Sequence, residues 1–174
     1  MMFSIQQFVP SEVCLKCDGC CRFKEPGTIW RPKMSGEETA RATSVGLAEK
    51  ILGPDILDGE QFIRTKPGCG EHLCQFFNPE DHACAIYKAR PFECELYPFV
   101  ISKDGRGAAL YMHLNCPHVQ ENFNRVSLKV YVKYLKEFFA KPDVRAFLQR
   151  NRGLLNDYSA HKDELELVFV LENI

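Results

Sequence analysis

The sequence lacks the features that mark several large classes of protein. None of its 174 residues lie in a stretch approaching the roughly 18 apolar residues that a membrane-spanning helix needs. Its 22 Lys and Arg residues nearly balance its 23 Asp and Glu residues, so the formal net charge is −1. No strong field of either sign therefore favours a nucleic acid or a membrane surface as partner. We expect a protein or small-molecule partner, whose identity the sequence leaves unknown.

The first residues also lack the pattern of a secretory signal. They contain no basic region and no uninterrupted apolar run. We therefore expect a cytoplasmic protein, in which thiols stay reduced. Internal repeats and low-complexity linkers are missing as well. The length and the 45% hydrophobic content suit a single folded domain.

The unusual feature that is present is a set of nine cysteines, and none of them follows Cys116. In a reducing compartment such a group favours metal or redox chemistry over disulfides. An odd number also fits poorly with a fully paired disulfide framework. Structural disulfides and unligated buried thiols remain as the less favoured interpretations.

The first cysteines form the run Cys14-x2-Cys17-x2-Cys20-Cys21. Gaps of two residues let a tight turn direct successive sulfurs at one centre, as in zinc knuckles and iron–sulfur loops. We predict such a turn here. Because neighbouring side chains diverge, we expect that Cys20 and Cys21 do not chelate one ion together.

The second group of cysteines is spread along the middle of the chain. Together with the first run it allows two four-cysteine sites and one spare thiol, or one cluster with supporting thiols. The spacing indicates a metal without identifying it. Several histidines lie within three residues of a cysteine, and each is more often structural than a ligand. The cysteines are Cys69, Cys74, Cys84, Cys94 and Cys116, and the histidines are His72, His82, His113 and His118.

The remaining pattern predicts an α+β fold in a single small domain, with an irregular cysteine-rich metal-binding core, a short antiparallel β-hairpin and two or three packed helices. A capping box at Ser35 and Glu38 begins a helix that runs to about residue 52. The predicted strands are 28–31, 61–64, 98–102 and 108–113, the predicted helices 121–140 and 142–151, and residues 164–171 form a strand or a helical end. We expect a cysteine-cluster metal-binding segment over 1–119 and a helical segment over 120–174, packed on it within the same domain.

Several of these motifs occur together in one known family. The segment from Cys84 through Arg90-Pro91 and Cys94 to Tyr97-Pro98, downstream of the Cys-x2-Cys-x2-Cys-Cys run, resembles the zinc- or iron-chelating cysteine-cluster family. Some members of that family are labelled iron–sulfur oxidoreductases, and flagellin lysine-N-methylases are related to it. The resemblance covers about residues 14–118.

The resemblance implies a set of metal ligands and leaves Cys69 as the extra thiol. It also implies cofactor-binding roles for Arg90, whose guanidinium would lie beside thiolates, and for Tyr97, whose Tyr-Pro pair would hold Cys94 in place. The implied ligands are Cys14, Cys17, Cys20, Cys21, Cys74, Cys84, Cys94 and Cys116.

Three functions follow as expectations. The first is a redox-related iron–sulfur oxidoreductase with, for example, a 4Fe–4S cluster. The second is a binding module stapled by Zn²⁺, and either metal would occupy one or two sites. The third is an adenosylmethionine-dependent protein-lysine N-methyltransferase. For this third function the sequence offers no strand–glycine–helix loop, since Gly105 and Gly107 fall in a predicted hairpin turn.

Overall fold

The computed structural model describes residues 5–17, 19–42, 57–58, 62–105, 107–172 and 174. The chain divides into two compact units. One, which we call the cysteine unit, is Pro10–Cys94. The other, the hairpin unit, combines Met1–Val9 with Glu95–Ile174. The sequence predicts a metal-binding segment over 1–119 and a helical segment over 120–174. That boundary describes where metal is bound and not how the chain packs, so it stays a prediction.

Helices and short antiparallel strands alternate along the described chain, so the predicted α+β class is confirmed. The α-helices are α1 (Ser11–Cys17), α2 (Gly36–Ala42), α3 (Phe92–Leu96), α4 (Pro117–Asn122), α5 (Val126–Phe139) and α6 (Pro142–Arg150). The strands are β1 (Arg22–Phe23), β2 (Leu57–Asp58), β3 (Phe62–Ile63), β4 (Thr65–Pro67), β5 (His72–Cys74), β6 (Phe77–Asn78), β7 (Ala83–Cys84), β8 (Phe99–Asp104), β9 (Gly107–His113) and β10 (Leu165–Leu171). The 3-10 helices are Gly19–Cys21, Tyr87–Ala89, Arg152–Leu154 and Ser159–Glu164.

The cysteine unit is built from strands of only two or three residues. Its largest described sheet has the order β1-β5-β4, and two-stranded pairs form between β2 and β3 and between β6 and β7. Cys21, Trp30 and Cys84 pack against the hydrophobic core of this unit. The core residues are Phe23, Met34, Ile63, Leu73, Cys74, Phe76, Phe77 and Ile86. The cysteines are therefore part of the packing and are not confined to surface loops.

The predicted capping box is confirmed at the start of α2. The N–H of Glu38 donates to Oγ of Ser35 at 3.2 Å, and the N–H of Ser35 donates to Oε2 of Glu38 at 2.7 Å. These two bonds satisfy backbone donors at the helix start that have no partner within the helix. The helix is described to Ala42, and its predicted continuation lies outside the described residues. The strand predicted over 61–64 is also confirmed, as β3. Residues 28–31 form a turn, so the strand predicted there is wrong.

The hairpin unit contains the longer elements. Strands β8 and β9 form the predicted hairpin, whose turn includes Gly105 with a φ of 57°. That left-handed conformation suits glycine, which has no Cβ to clash. Residues 165–171 form a strand that pairs antiparallel with β9, giving the order β10-β9-β8. The turn at Gly105 therefore joins strand to strand, as predicted for this segment.

The long helix predicted over 121–140 is divided into α4 and α5 by a turn. Here the N–H of Arg125 donates to the carbonyl of Asn122 at 3.0 Å. Val126 is 74% and Val130 is 63% exposed, because both lie on the side of α5 away from Leu135. The buried side of α5 is instead Leu128, Tyr131, Leu135, Phe138 and Phe139. The predicted second helix is confirmed as α6.

Candidate metal centre

The first two cysteines lie on a helix, so the predicted tight turn is wrong for this segment. α1 begins after Pro10, whose carbonyl accepts the N–H of Cys14 at 2.9 Å. Residues three apart in a helix share a face, which places Cys14 and Cys17 side by side on α1. The Sγ of Cys17 lies 3.6 Å from where a Cβ on Gly19 would be, close to the 3-10 turn that follows.

Strand pairing brings Cys21, from the first cysteine run, close to Cys74, from the central group. β1 pairs with β5 so that Arg22 is opposite Leu73, and one residue further along this register Cys21 comes opposite Cys74. A salt bridge between Arg22 and Glu71 supports the pairing. The sequence run and the central cysteines therefore meet through antiparallel register, because partners in such a ladder face each other directly.

Cys74 and Cys84 each end a strand, and backbone N–H groups of the following turn point at their sulfurs. The N–H groups of Phe76 and Phe77 donate to the thiol of Cys74, and the N–H of Ile86 donates to the thiol of Cys84. Such bonds favour the thiolate, because they place positive hydrogen atoms beside the negative sulfur. These turns are suited to hold deprotonated cysteines.

The thiol of Cys21 is the most perturbed of the group. A hydrogen bond with the side chain of Cys20 raises its pKa far above the usual value, and burial adds to the effect. Negative charge on Cys20, Cys74 or Cys94 would raise it further. The sulfurs of Cys20 and Cys21 are thus hydrogen-bonded neighbours, and the prediction that their side chains diverge is wrong. Both residues lie in the 3-10 helix Gly19–Cys21.

Burial and mutual repulsion act on the other members as well. Burial raises the pKa of Cys74 to about 12 and raises that of Cys94 well above its usual value. Burial also raises the pKa of Cys84, while the charge of Arg90 lowers it. The Cys94 thiol would be repelled by charge on Cys74, Cys20 and Cys84. We call the five mutually interacting side chains the thiol cluster: Cys20, Cys21, Cys74, Cys84 and Cys94.

The donor chemistry of the thiol cluster fits a soft metal. Thiolate sulfur selects zinc and iron–sulfur centres over magnesium or calcium. A cation among the sulfurs would offset the repulsion and burial that raise their pKa values. Within the described residues, no three His, Cys, Asp or Glu side chains are already arranged to hold a metal ion. The thiols therefore converge without forming a closed ligand set.

Arg90 lies beside this cluster, and its charge reaches Cys84. Its guanidinium carbon is 3.9 Å from the centre of the Tyr87 ring. Its Nε and Nη1 atoms are buried and have no hydrogen-bond partner among the described residues. Buried N–H donors of this kind are costly unless an acceptor is present. The predicted cofactor-binding role of Arg90 stays a prediction, and this arrangement agrees with it.

Two other predicted site residues belong to the hairpin unit. The hydroxyl of Tyr97 hydrogen-bonds Nδ1 of His113 at 3.1 Å, and the peptide bond between Tyr97 and Pro98 is cis. Cys116 is buried and precedes α4. Their roles as cofactor-binding residue and metal ligand stay predictions. In the cysteine unit, Cys69 is exposed, as are Cys17 and Cys20, and its assignment as the extra thiol stays a prediction.

The described histidines have other contacts. His82 packs its ring edge against Phe77, and His118 packs against Phe8. His72 lies in β5 and pairs with Phe23 of β1. These contacts agree with the structural role that is the more frequent one for an isolated histidine.

Sequence reasoning missed a set of buried charged residues next to the cluster. Lys33 and Glu38 are both 0% exposed. The backbone N–H of Lys33 donates to Oε2 of Glu93 at 2.8 Å. Burial raises the pKa of Glu93 to about 8, the N–H and the ammonium group of Lys33 oppose this shift, and Glu38 adds to it. The capping box identified Glu38 in the sequence, but no local pattern connects it to Glu93.

A family model described as "Putative zinc- or iron-chelating domain" matches residues 13–117. No curated protein and no solved structure matches the chain. The matched range contains every cysteine of the thiol cluster, the two cysteines of α1, and Cys116. Among the described residues, no helix is both long and apolar enough to span a membrane.

Proposed function

The chain belongs to the CxxCxxCC family of zinc- or iron-chelating domains, and we propose that its thiol cluster holds an iron–sulfur cluster with a redox role. The observation that carries this proposal is that five thiols lie close enough for the charge of one to act on others of the set, namely Cys20, Cys21, Cys74, Cys84 and Cys94. A closed structural zinc site uses four ligands. A 4Fe–4S cluster also uses four cysteines. The fifth interacting thiol, together with Cys14 and Cys17 of α1 close by in sequence, therefore provides donors beyond a single four-ligand site of either kind.

The protein's own groups would prepare the site in three ways. The sheet register and the turns after β5 and β7 fix Cys21, Cys74 and Cys84 near one another. The N–H groups of Phe76 and Ile86 stabilise negative sulfur, and Arg90 contributes a positive charge. A bound iron–sulfur cluster would supply electron transfer at a potential set by such hydrogen bonds and charges.

The exposure of one thiol supports a redox role for the metal centre over a purely structural role in a fully buried site. Cys20 is exposed, whereas Cys74 is buried. The thiol cluster therefore extends from the core of the unit to its surface. Electron exchange with another molecule requires such access, while a purely structural centre does not.

Anaerobic purification with iron, sulfide and zinc analysis tests the proposal. We expect a brown protein that contains iron and acid-labile sulfide, with a broad visible absorbance that bleaches on reduction by dithionite. Protein that stays colourless after anaerobic reconstitution with iron and sulfide would refute it.

A structural zinc site is the second candidate, and one observation favours it. The regular elements of the cysteine unit are very short, since its described strands have two or three residues and the α-helices described wholly within it, α1 and α2, have seven each. Small folds with little regular structure are often stabilised by a metal. This candidate predicts stoichiometric zinc in the purified protein and no visible absorbance.

A further inference from the structure

Residues 33–41, which contain no cysteine or histidine, are joined to residues 90–94 by buried hydrogen bonds. The carboxylate of Glu38, in α2, accepts the N–H of Phe92 at 2.5 Å through Oε1. The carboxylate of Glu93, in α3, accepts the N–H of Lys33 at 2.8 Å. Each segment thus provides a carboxylate that accepts a backbone N–H of the other. We call this pair of bonds the α2–α3 link.

Glu38 is the centre of the link because both of its oxygens are occupied. Oε2 accepts the N–H of Ser35, within its own capping box, and Oε1 accepts the first N–H of α3. The side chain is fully buried, so water cannot replace either bond. A carboxylate that accepts from two helix starts fixes their relative position, since moving one helix would leave a buried donor unpaired.

The helix that Glu38 holds contains a candidate ligand. α3 has five residues, and Cys94 is the third of them. A helix this short is not stable alone, because the cost of its first turn is not recovered by propagation. Its position therefore depends on tertiary contacts at its start. A further bond acts just before it, where Nη2 of Arg41 donates to the carbonyl of Arg90 at 3.3 Å.

We propose that Glu38 is a positioning residue for the metal centre, holding Cys94 toward the rest of the thiol cluster through α3. This inference rests on the proposed metal-binding function, and it extends the functional part of the chain to a helix without cysteine or histidine. Replacing a residue that orients a metal ligand typically lowers metal affinity by about 10–100-fold.

The test is the variant Glu38→Gln, in which the amide oxygen can accept one N–H but the NH₂ group cannot accept the other. We expect the metal of the purified variant to be lost to a chelator about tenfold faster than that of the original chain. We also expect Cys94 to be alkylated several-fold faster in the metal-free variant, relative to the exposed Cys69 in the same molecule.

Two control variants separate positioning from general stability. Glu37→Gln removes the same charge from an exposed position of α2, and both measurements should match the original chain. Ser35→Ala removes the cap of α2 but leaves the bond from Phe92 to Glu38, so Cys94 should react at the original rate. Equal effects of Ser35→Ala and Glu38→Gln would overturn the proposal.

The outcomes also separate this inference from the proposed function. If the original chain holds metal and Glu38→Gln keeps it equally well with unchanged Cys94 alkylation, the positioning role alone is overturned. If the original chain holds no metal, the proposed function fails, and the positioning role for a metal centre fails with it. If Glu38→Gln does not fold, amide hydrogen exchange at Phe92 in the original chain tests the α2–α3 link instead. Slow exchange at Phe92 supports the link, and exchange as fast as in a loop overturns it.

Discussion

Cys21 and Cys74 are the two residues that directly adjoin Arg22 and Leu73, the last pair of the β1–β5 ladder. The two residues are separated by more than fifty positions in the chain, and the negative charge of one would raise the pKa of the other. The pairing of Arg22 with Leu73 is therefore what joins the first cysteine run to the central cysteines. Backbone register, in addition to the spacing of the cysteines, determines which thiols meet.

Replacing Cys74 should remove the metal, because a serine hydroxyl is a poor ligand for the soft ions that thiolates select. We expect Cys74→Ser protein to contain only a small fraction of the original metal per chain, measured by elemental analysis after anaerobic purification. Cys69→Ser is the matched control and should retain the original content. Full metal in Cys74→Ser would contradict the assignment of Cys74 to the centre.

Arg90 should affect the electronic properties of a bound iron–sulfur centre. Replacing it with methionine removes a positive charge near Cys84, which disfavours the more negative, reduced state. We expect the midpoint potential of Arg90→Met to be lower than that of the original protein in an anaerobic potentiometric titration. Lys88→Met removes an exposed charge from the 3-10 helix that directly precedes Arg90 and should change the potential much less. Equal shifts in the two variants would argue against a specific role for Arg90.

Metal removal should affect the two units unequally. The cysteine unit has short elements packed around its thiols, whereas the hairpin unit has a three-stranded sheet and the 14-residue helix α5. We expect a chelator to accelerate amide exchange in residues 62–94 and to leave residues 107–113 protected, as measured by mass spectrometry. Trp30, the one tryptophan, should report the same change by fluorescence, since it packs against the core of the cysteine unit. Uniform deprotection of both units would contradict this prediction.

A core substitution in the hairpin unit should lower stability and leave metal content unchanged. Leu135 is 0% exposed on the buried side of α5. We expect Leu135→Ala to lower the free energy of unfolding by about 2–5 kcal/mol, through the lost burial and the cavity that remains. Denaturant unfolding followed by circular dichroism measures the loss, and metal analysis of the folded variant provides the comparison. A loss below about 1 kcal/mol would contradict the packing described for α5.

Stability of the hairpin unit should fall as the solution becomes acidic. Burial lowers the pKa of His113, the neighbouring Glu164 opposes the shift by charge and hydrogen bonding, and His161 reinforces it. Tyr97 faces the same ring. The unfolded chain therefore binds more protons at this residue than the folded chain, and stability decreases as pH falls below the ordinary histidine value of about 6.5.

Denaturant unfolding between about pH 7 and about pH 5 checks this sign. We expect the decrease to be smaller in His113→Gln, which keeps a polar side chain beside Tyr97 but cannot gain a charge. If the substituted protein loses as much stability on acidification as the original, His113 is not the responsible group.

Features with a local cause could be predicted from the sequence. The bonds between Ser35 and Glu38 follow from helix-start chemistry, and the β8–β9 hairpin follows from two apolar runs around Gly105. The strand at residues 165–171 was one of two alternatives, because apolar alternation over a short segment does not separate a strand from a helical end. Pairing with β9 decides it in the structure.

Features that depend on distant contacts could not be predicted. No sequence pattern indicates that Glu38 accepts the N–H of Phe92, or that Lys33 is fully buried. Val126 and Val130 are apolar residues of α5 but lie on the side of the helix away from Leu135 and are exposed, which their residue type does not indicate. The convergence of Cys20 with Cys94 likewise depends on sheet register and on the placement of α3, which the spacing of cysteines does not contain.

The position of Cys74 has a consequence for how long a metal would stay bound. Cys74 ends β5, the central strand of its sheet, which is paired on one side with β1 and on the other with β4. A ligand on an edge strand can swing away after one row of backbone bonds opens, but a ligand on a central strand is held by two. Displacement of the β5 backbone that carries this sulfur therefore requires the pairing with both β1 and β4 to open. The residence time of the metal should follow the slow opening of the backbone and not the rapid rotation of a side chain.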